Sequence, residues 1–436
     1  MHHQSKLMKA ISAAALVATI GAVASFATTA ANADTTIRFS WWGGQLRNEK
    51  TDKILQLFEK ENPGVHVTRE QSDWQPHWDK LKIQASAGNQ PCTIQMQTRW
   101  LSTYADPNIL RPLDDLVADG RLDLSGISKA TIDSSRGDDG NLYMVPSGVF
   151  YFALIYNKSL LDAAGVAAPA EDWTWNGFAD WLRAVKKGLP EGVNATHNMG
   201  VENDSFVTWI QSQGHKVFDK THLAYPESVT ADYFRYWETL RKEGLTDSPE
   251  EMLTDNGSLI EESNISNGRT FVTNRPPNRF DSHQKVLTAV KNQELAIVPY
   301  PRGEDGTTGM DLGANGIAIG APCTNPDELD ASVKWINFFT QDPRAAAIYE
   351  SDNGAVTVAK LQDEQANDPK TSRGQREFIL LYQRIADTAK PINYPSGGTG
   401  AMQDALTRAY EAVAFGQLTP DEAAAQFHSD VEDVLN

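Results

Sequence analysis

Aromatic and planar polar residues follow three predicted strands near the N-terminus, and together they could bind a sugar. In chain order these residues are Trp42, Gln45, Asp73, Trp74, Gln97 and Arg99. A sugar ring presents hydroxyl groups at its edges and a weakly apolar face, so polar planar groups complement the edges and aromatic rings cover the face. We therefore predict ligand contacts here. The alternative for Trp42 and Trp74 is a place in the core or at its rim.

A second group of candidate ligand-binding residues lies farther along the chain. It comprises Tyr151, Trp209, Arg275, Asp311, Asn315 and Tyr394. The guanidinium groups of Arg99 and Arg275 could each bind a carboxylate through two parallel hydrogen bonds. Ordinary surface or hinge ion pairs would explain these two arginines equally well. Four tryptophans at helical positions are instead predicted to lie in the core, namely Trp173, Trp175, Trp237 and Trp335.

The elements that must position these residues alternate between strands and helices. Residues 36–42, 65–68 and 93–96 are predicted strands, and the spacing of Ile54, Leu55 and Phe58 predicts a helix between the first two. This alternation is typical of βαβ units around a parallel sheet, so the predicted fold class is α/β. Ligands of open α/β sheets bind beyond the carboxyl ends of the strands. With 436 residues the chain also exceeds what one hydrophobic core supports, so two lobes are expected.

The first 33 residues have the pattern of a secretory signal peptide. Lys6 and Lys9 precede an apolar run over residues 13–27, and Ala31-Asn32-Ala33 supplies small residues for cleavage. We therefore predict that residues 1–33 are removed on export. No cysteine lies near the cleavage site to carry a lipid anchor. A free periplasmic protein of a Gram-negative bacterium is expected.

Charge and motif content exclude several functional classes. A formal net charge of −18 disfavours nucleic acid and anionic membrane surfaces as partners. The sequence has no G-x-S-x-G, H-E-x-x-H, phosphate-loop or dinucleotide motif, and its histidines lack metal-ligand spacing. We therefore expect no enzyme activity, no cofactor and no metal. The enzymatic alternative is a secreted polysaccharide hydrolase or lyase that uses an acidic pair such as Asp138 and Asp139, although Asp-Asp-Gly is usually a turn.

Six segments distributed over the chain carry a joint family resemblance. They are residues 54–67, 91–101, 110–116, 143–146, 154–161 and 416–424. In order and spacing they resemble the family 1 extracellular solute-binding proteins of ABC importers. The resemblance implies a two-lobed, maltose-binding-protein-like periplasmic-binding-protein fold of type II with a hinged ligand cleft. The implied lobes are residues 34–147 plus 307–352, and residues 148–306 plus 353–436.

The resemblance also implies a function and narrows the ligand. It implies a monomer that captures a sugar or small oligosaccharide and delivers it to ABC permease subunits. Residues 274–277 and 396–400 stand where maltose-binding proteins place aromatic rings, which disfavours a long maltodextrin. Residues 41–47 look more like a subgroup that takes up plant-derived oligosaccharides, so an acidic, uronate-type sugar is the alternative ligand. Polyamine- or iron-binding relatives form a further alternative, but adjacent iron-ligating tyrosines are absent from the sequence.

The same resemblance implies a disulfide between the two cysteines, Cys92 and Cys323. In the family's lobe topology, the strand at residues 313–320 runs antiparallel beside the strand that follows Cys92. The end of one strand then faces the beginning of the other, and an oxidising periplasm permits the bridge. Two separate buried thiols are the alternative, because bridging needs Cα atoms within about 7 Å.

Overall fold

The computed structural model describes residues 34–105, 107–255 and 259–435. The predicted signal peptide, residues 1–33, lies outside the described residues. The strands are, in chain order, β1 (Thr35–Trp42), β2 (Val65–Ser72), β3 (Thr93–Gln97), β4 (Met144–Phe150), β5 (Ala153–Asn157), β6 (Asn194–Thr196), β7 (Phe218–Asp219), β8 (His222–Leu223), β9 (Thr270–Arg275), β10 (Leu295–Val298), β11 (Gly313–Ile319) and β12 (Ala355–Val356).

The helices surround these strands. They are α1 (Gln45–Glu61), α2 (Trp74–Ser86), α3 (Leu101–Ala105), α4 (Asp114–Ala118), α5 (Lys129–Asp133), α6 (Lys158–Ala164), α7 (Trp175–Lys186), α8 (Asn203–Ser212), α9 (Glu227–Lys242), α10 (Pro249–Met252), α11 (Phe280–Lys291), α12 (Pro326–Gln341), α13 (Pro343–Tyr349), α14 (Ala359–Asn367), α15 (Arg373–Ile385), α16 (Gly398–Ala414) and α17 (Pro420–Leu435). Short 3₁₀ helices are formed by Thr98–Trp100, Met199–Val201 and Pro277–Arg279.

Two sheets divide the fold into two lobes. The first sheet has the strand order β12-β4-β11-β3-β1-β2, and the second has the order β10-β5-β9-β6. We call the six-stranded sheet with its helices the first lobe and the four-stranded sheet with its helices the second lobe. The predicted two-lobed α/β fold is confirmed. Among the described residues, no helix has both the length and the apolar character needed to cross a membrane.

Strand β1 lies next to the edge strand β2 in the first sheet and leads directly to the candidate residues Trp42 and Gln45. It pairs in parallel with β2 on one side and with β3 on the other, as the alternation of strands and helices predicts. Its residues alternate between two buried layers, with Phe39 packing on Trp335 of α12 and Trp42 packing on Trp78 of α2. Helices cover both faces of β1, and the last four residues of the strand are buried between them. This packing fixes the position of its carboxyl end.

The four tryptophans predicted to be structural lie in the cores of the two lobes. Trp173, Trp175 and Trp237 belong to the core of the second lobe, and Trp335 belongs to that of the first. All four side chains are buried. Their predicted burial is therefore confirmed, whereas the predicted helical position is wrong for Trp173, which precedes the first residue of α7.

The predicted disulfide is present and links two distant parts of the first lobe. Strand β11 runs antiparallel to β3, with Ile319 opposite Thr93. Cys92 and Cys323 lie just outside this pair of residues, their Cα atoms are 5.0 Å apart, and the sulfurs are bonded. Glu328 lies beside the bridge. Since both sulfurs are in the disulfide, neither is a thiolate that could bind a metal.

The chain passes between the lobes at several points. Strand β4 continues through Phe150 in the first sheet, and β5 begins at Ala153 in the second. The chain returns to the first sheet at β11 and contributes the short strand β12 beside β4. The lobe boundaries were predicted at residues 147 and 352. Strand β4 of the first sheet extends past residue 147, and β12 of the same sheet lies wholly beyond residue 352. The boundaries themselves stay a prediction.

Candidate ligand-binding site

An open pocket lies at the carboxyl ends of β1 and β2. The parallel register places Trp42 opposite Ser72, so the loops that follow both strands leave the sheet side by side. Together they enclose about 640 Å³. The lining residues are Trp42, Gly43, Gly44, Gln45, Leu46, Arg47, Asp73, Trp74 and Asp352. Four of the predicted ligand residues, Trp42, Gln45, Asp73 and Trp74, are thus brought together.

The two tryptophans of this pocket differ in exposure. Trp74 is 39% exposed, whereas Trp42 is 5% exposed. Their ring centroids are 5.0 Å apart and the ring planes are almost perpendicular. Trp42 is fixed from behind by His77 and Trp78, with centroids 5.1 and 5.4 Å away. Burial lowers the pKa of His77 to about 4, so no charge lies behind the Trp42 ring at neutral pH.

The polar groups at the rim of the pocket are free to turn toward a ligand. Asp73 precedes α2 but its carboxylate accepts no capping hydrogen bond from the helix, and the residue is exposed. Gln45 is also exposed and donates only to Glu49 of the next helical turn. A carboxylate, an amide and an exposed indole face together match the edge and the face of a sugar ring.

Arg47 lines the open pocket and is hydrogen-bonded to Asp352, which lines it as well. Its Nε donates to Asp352 Oδ1 over 2.9 Å, and its Nη2 donates to the Asp352 carbonyl oxygen over 3.0 Å. Gly43 permits this arrangement, because a Cβ at position 43 would come within 2.6 Å of Arg47 Cδ. The first turn of α1 is thereby tied to the segment that leads into β12.

A polar row continues along the same edge of the first sheet. Gln97 at the carboxyl end of β3 lies opposite Asn315 near the amino end of the antiparallel strand β11. Gln97 Nε2 donates to Asn315 Oδ1 over 3.0 Å. Asn315 Nδ2 in turn donates to the carbonyl oxygen of Asn353 over 2.8 Å. Two further predicted residues thus lie at this edge, where they hydrogen-bond to each other.

Arg99 connects the two lobes. It follows β3 and forms an ion pair with Asp204, which lies in the first turn of α8 in the second lobe. The guanidinium carbon lies 5.5 Å from the ring centroid of Phe150 and 5.8 Å from that of Phe152. The hydroxyl groups of Thr103 and Ser396 also meet between the lobes, 3.3 Å apart. The lobes are therefore in contact around Arg99, where a cavity of only about 10 Å³ remains.

Two predicted residues, Asp311 and Tyr394, lie close to this ion pair. Burial disfavours the charged form of Arg99, but the carboxylates of Asp204 and Asp311 outweigh this effect and raise the pKa of Arg99. Burial raises the pKa of Asp204 and brings that of Asp311 to about 7, although the Arg99 charge opposes both shifts. The Arg99 guanidinium thus interacts with two carboxyl groups, those of Asp204 and Asp311. Of these, Asp311 titrates near neutral pH.

Three other predicted residues have partners inside the second lobe. The Tyr151 hydroxyl donates to the carbonyl oxygen of Phe378 over 2.6 Å, although the residue also borders the small cavity beside Arg99. The Trp209 indole donates to the carbonyl oxygen of Val229 over 3.1 Å. Arg275 is buried at the end of β9 and pairs with Asp255 over 2.7 Å. Neither Trp209 nor Arg275 lines the open pocket or the small cavity.

Asp204 is the functional candidate that sequence reasoning did not select. Its signal in the sequence was the run Glu202-Asn203-Asp204 at the start of a helix in the second lobe. That run looks like ordinary acidic residues in a first helical turn. Its partner, Arg99, is 105 positions away, and only the packing of the lobes reveals the pair.

Comparisons with known proteins identify the family and the fold of the chain. A model of the family described as bacterial extracellular solute-binding protein matches residues 53–372. A protein of Brucella abortus that is named as a binding protein is 31% identical over 122 residues, which is 28% of this chain and 29% of that protein. The alignment therefore spans less than a third of that relative's length.

Solved structures share the fold over almost the whole chain. A family 1 extracellular solute-binding protein of Alicyclobacillus acidocaldarius is 22% identical, with a TM-score of 0.78 over 92% of this chain and 99% of that one. A periplasmic oligogalacturonide-binding protein of Yersinia enterocolitica is 19% identical, with a TM-score of 0.77 over 92% of this chain and 99% of that one. At such identities the likeness shows the fold.

Proposed function

Because the chain belongs to the bacterial extracellular solute-binding proteins, we propose that it is the periplasmic substrate-binding component of an ABC importer and captures a sugar or small oligosaccharide. The observation that carries the proposal is the open pocket in which the exposed ring of Trp74 stands beside the carboxylate of Asp73 and the amide of Gln45. The protein works as an exported monomer and delivers its ligand to the membrane permease. It binds the sugar without chemical change.

The mechanism follows from contacts that both lobes make with one ligand. The pocket belongs to the first lobe, and Asp204 approaches from the second. A ligand that touches both lobes binds the closed form more tightly than the open form, so it shifts the population toward closure. The permease then distinguishes loaded from empty protein by the closed shape.

An acidic sugar of the uronate class is the second candidate ligand. Arg99 favours it, because a guanidinium between the lobes could pair with a carboxylate. The Yersinia enterocolitica structure also shows that this fold serves a protein described as oligogalacturonide-binding. The fold alone does not transfer that specificity to this chain.

Calorimetric titration with a panel of sugars tests the proposal. Trp74→Ala removes an exposed ring, and we expect it to weaken binding by about 1 to 3 kcal/mol if the ring is desolvated in the complex. Trp42→Ala should weaken binding as well, with an additional loss of stability because Trp42 is packed on Trp78. Phe415→Ala is the matched control, since Phe415 is 44% exposed and lies outside the pocket. Unchanged affinity in both tryptophan variants would show that the pocket is not the site.

Two further measurements separate the proposed role from its rivals. Small-angle scattering should show compaction when a bound sugar draws the lobes together, and a protein that stays equally extended with every bound sugar contradicts the closure mechanism. Incubation of the pure protein with oligosaccharides should release no new reducing ends. Their appearance would favour a hydrolase or lyase.

A further inference from the structure

The charge balance around Arg99 bears on which class of sugar fits between the lobes. Asp204 and Asp311 both act on the Arg99 guanidinium. Glu202 adds a further negative charge beside Asp204. His197 lies between two carboxylates, with its Nε2 3.4 Å from Glu202 Oε1 and its Nδ1 2.7 Å from Asp247 Oδ2, so its charge is shared between them. Two carboxyl groups therefore face one guanidinium, and above pH 7, where Asp311 loses its proton, the site contains more negative than positive charge.

Buried acceptor atoms in the same place have no hydrogen-bond partner. Asn203 is 4% exposed and Tyr394 is 2% exposed. Neither Asn203 Oδ1 nor the Tyr394 hydroxyl has a partner among the described residues, and the same is true of Asp311 Oδ1 and of one donor, the Arg99 Nε–H. Carboxylate and amide oxygens accept hydrogen bonds only, so a ligand satisfies them only by donating. A sugar hydroxyl donates and accepts, whereas an ionised carboxylate can only accept.

These observations together favour one class of ligand. We propose, as a refinement of the proposed function, that the site around Arg99 selects a neutral, hydroxyl-bearing sugar and excludes uronates, with Asp204 as the residue that excludes them. A sugar hydroxyl can donate to Asp204 while it accepts from Arg99, and so it fits between the two without separating charges. A ligand carboxylate that paired with Arg99 would compete with Asp204 for the guanidinium and would lie beside two carboxyl groups of the protein. Specificity arises here from repulsion of the wrong ligand as much as from attraction of the right one.

The test compares a neutral panel with an acidic panel by calorimetry at pH 7.5 and fixed salt. The neutral panel contains glucose, galactose, xylose, arabinose and their di- and trisaccharides. The acidic panel contains galacturonic acid, glucuronic acid, and di- and trigalacturonic acid. We expect the best neutral sugar to bind at least tenfold more tightly than the best uronate. A wild-type protein that binds a uronate as tightly as any neutral sugar, or more tightly, overturns the inference and leaves the proposed sugar-binding function standing.

The variant Asp204→Asn removes the excluding charge and keeps the side-chain shape. It should narrow the ratio of neutral to acidic affinity at least tenfold, because Arg99 becomes available to a ligand carboxylate. Asp311→Asn should narrow the ratio in the same direction and covers the case in which the first variant fails to fold. Asp330→Asn is the matched control, since Asp330 pairs with Arg121 on the surface and should leave the ratio unchanged.

Two other outcomes would contradict the inference. If a folded Asp204→Asn protein, or Asp311→Asn in its place, keeps the wild-type ratio of neutral to acidic affinity, the excluding role of these carboxylates is wrong. If no sugar in either panel binds to a folded wild-type protein, the inference and the proposed function fail together.

Discussion

Replacing Cys92 and Cys323 with alanine removes the covalent link between two parts of the first lobe that are separated in sequence by all four strands of the second lobe's sheet. Cys92 precedes β3 and Cys323 follows β11, and the bridge spans 231 positions of the sequence. Strands β3 and β11 are hydrogen-bonded neighbours, so the native arrangement does not depend on the bridge alone. The effect of the double substitution should therefore fall mainly on the unfolded state.

Loop length sets the size of the effect. In the chain-entropy model, closing a loop that spans 231 positions raises the free energy of unfolding by about 5 kcal/mol. If the second lobe stays folded while the first unfolds, the flexible part of the loop shrinks to about 70 residues and the gain to about 4 kcal/mol. Both values are upper figures, since residual structure in the unfolded chain reduces them.

Urea unfolding of the oxidised protein and of the Cys92→Ala, Cys323→Ala double variant measures this difference. Hydrogen exchange followed by mass spectrometry assigns it to a lobe. We expect faster exchange in β3 and β11 of the variant and unchanged exchange in β5 and β9 of the second lobe. Wild-type protein reduced in the unfolded state and refolded under reductant controls for lost packing of the sulfur atoms. Equal stability of the oxidised and bridgeless proteins, or equal acceleration of exchange in both lobes, would refute the reasoning.

Two other predictions concern buried charges. The pKa of Asp311 is about 7 in the folded protein against an ordinary value of 3.8, so the folded state holds an extra proton between these pH values and the free energy of unfolding should fall as pH rises from about 4 to 7. Asp311→Asn should remove this part of the pH dependence in urea unfolding at pH 4.5 and 7.5, and an unchanged slope contradicts the assignment. Arg275→Met removes the guanidinium that pairs with the buried Asp255 and leaves that carboxylate with the more distant His197 Nδ1, 3.8 Å away, so it should destabilise the protein by about 3 to 5 kcal/mol. Sugar affinity of the folded Arg275→Met molecules should stay unchanged, and its loss without a loss of stability would show that the sequence-based assignment of Arg275 to the ligand is right.

Local patterns were sufficient to predict the strands that form the cleft edge of the first lobe, but they underestimated the length of β2. Strand β2 was predicted over residues 65–68 and continues to Ser72, because all eight of its residues stay in register with β1. The added part contains Arg69 and Glu70, which look unlike a buried strand. Arg69 pairs with Asp52 and Glu59, and Glu70 pairs with Arg38, so ion pairs accommodate charge on this edge strand. Such partners lie too far away in sequence for a local pattern to reveal.

Sequence reasoning predicted the site residues that the sheet topology alone positions. It did not predict those whose role depends on a partner residue far away in sequence. Trp42 and Trp74 lie together because parallel strands end at the same edge of a sheet. Arg275 also stands at a strand end, yet it is occupied by Asp255 in the interior of the second lobe. Asp204 was overlooked for the opposite reason, since its significance comes from Arg99 in the other lobe.

The proposed site joins an aromatic half, the open pocket around Trp42 and Trp74, to a polar half around Arg99 and Asp204. The two halves differ in what a ligand must do on entry. The aromatic half is open and already formed, because Trp42 is held by His77 and Trp78 before any ligand arrives. The polar half is filled by the Arg99–Asp204 pair, which joins the lobes in the structure described here. A ligand must therefore replace a contact between the lobes and not merely add one. A hydroxyl group that bridges Arg99 and Asp204 restores that contact through the ligand, whereas a group that satisfies only Arg99 leaves Asp204 unpaired and favours opening. The contact that selects the ligand is thus the same contact that drives closure, so affinity and closure should change together in every variant of Asp204.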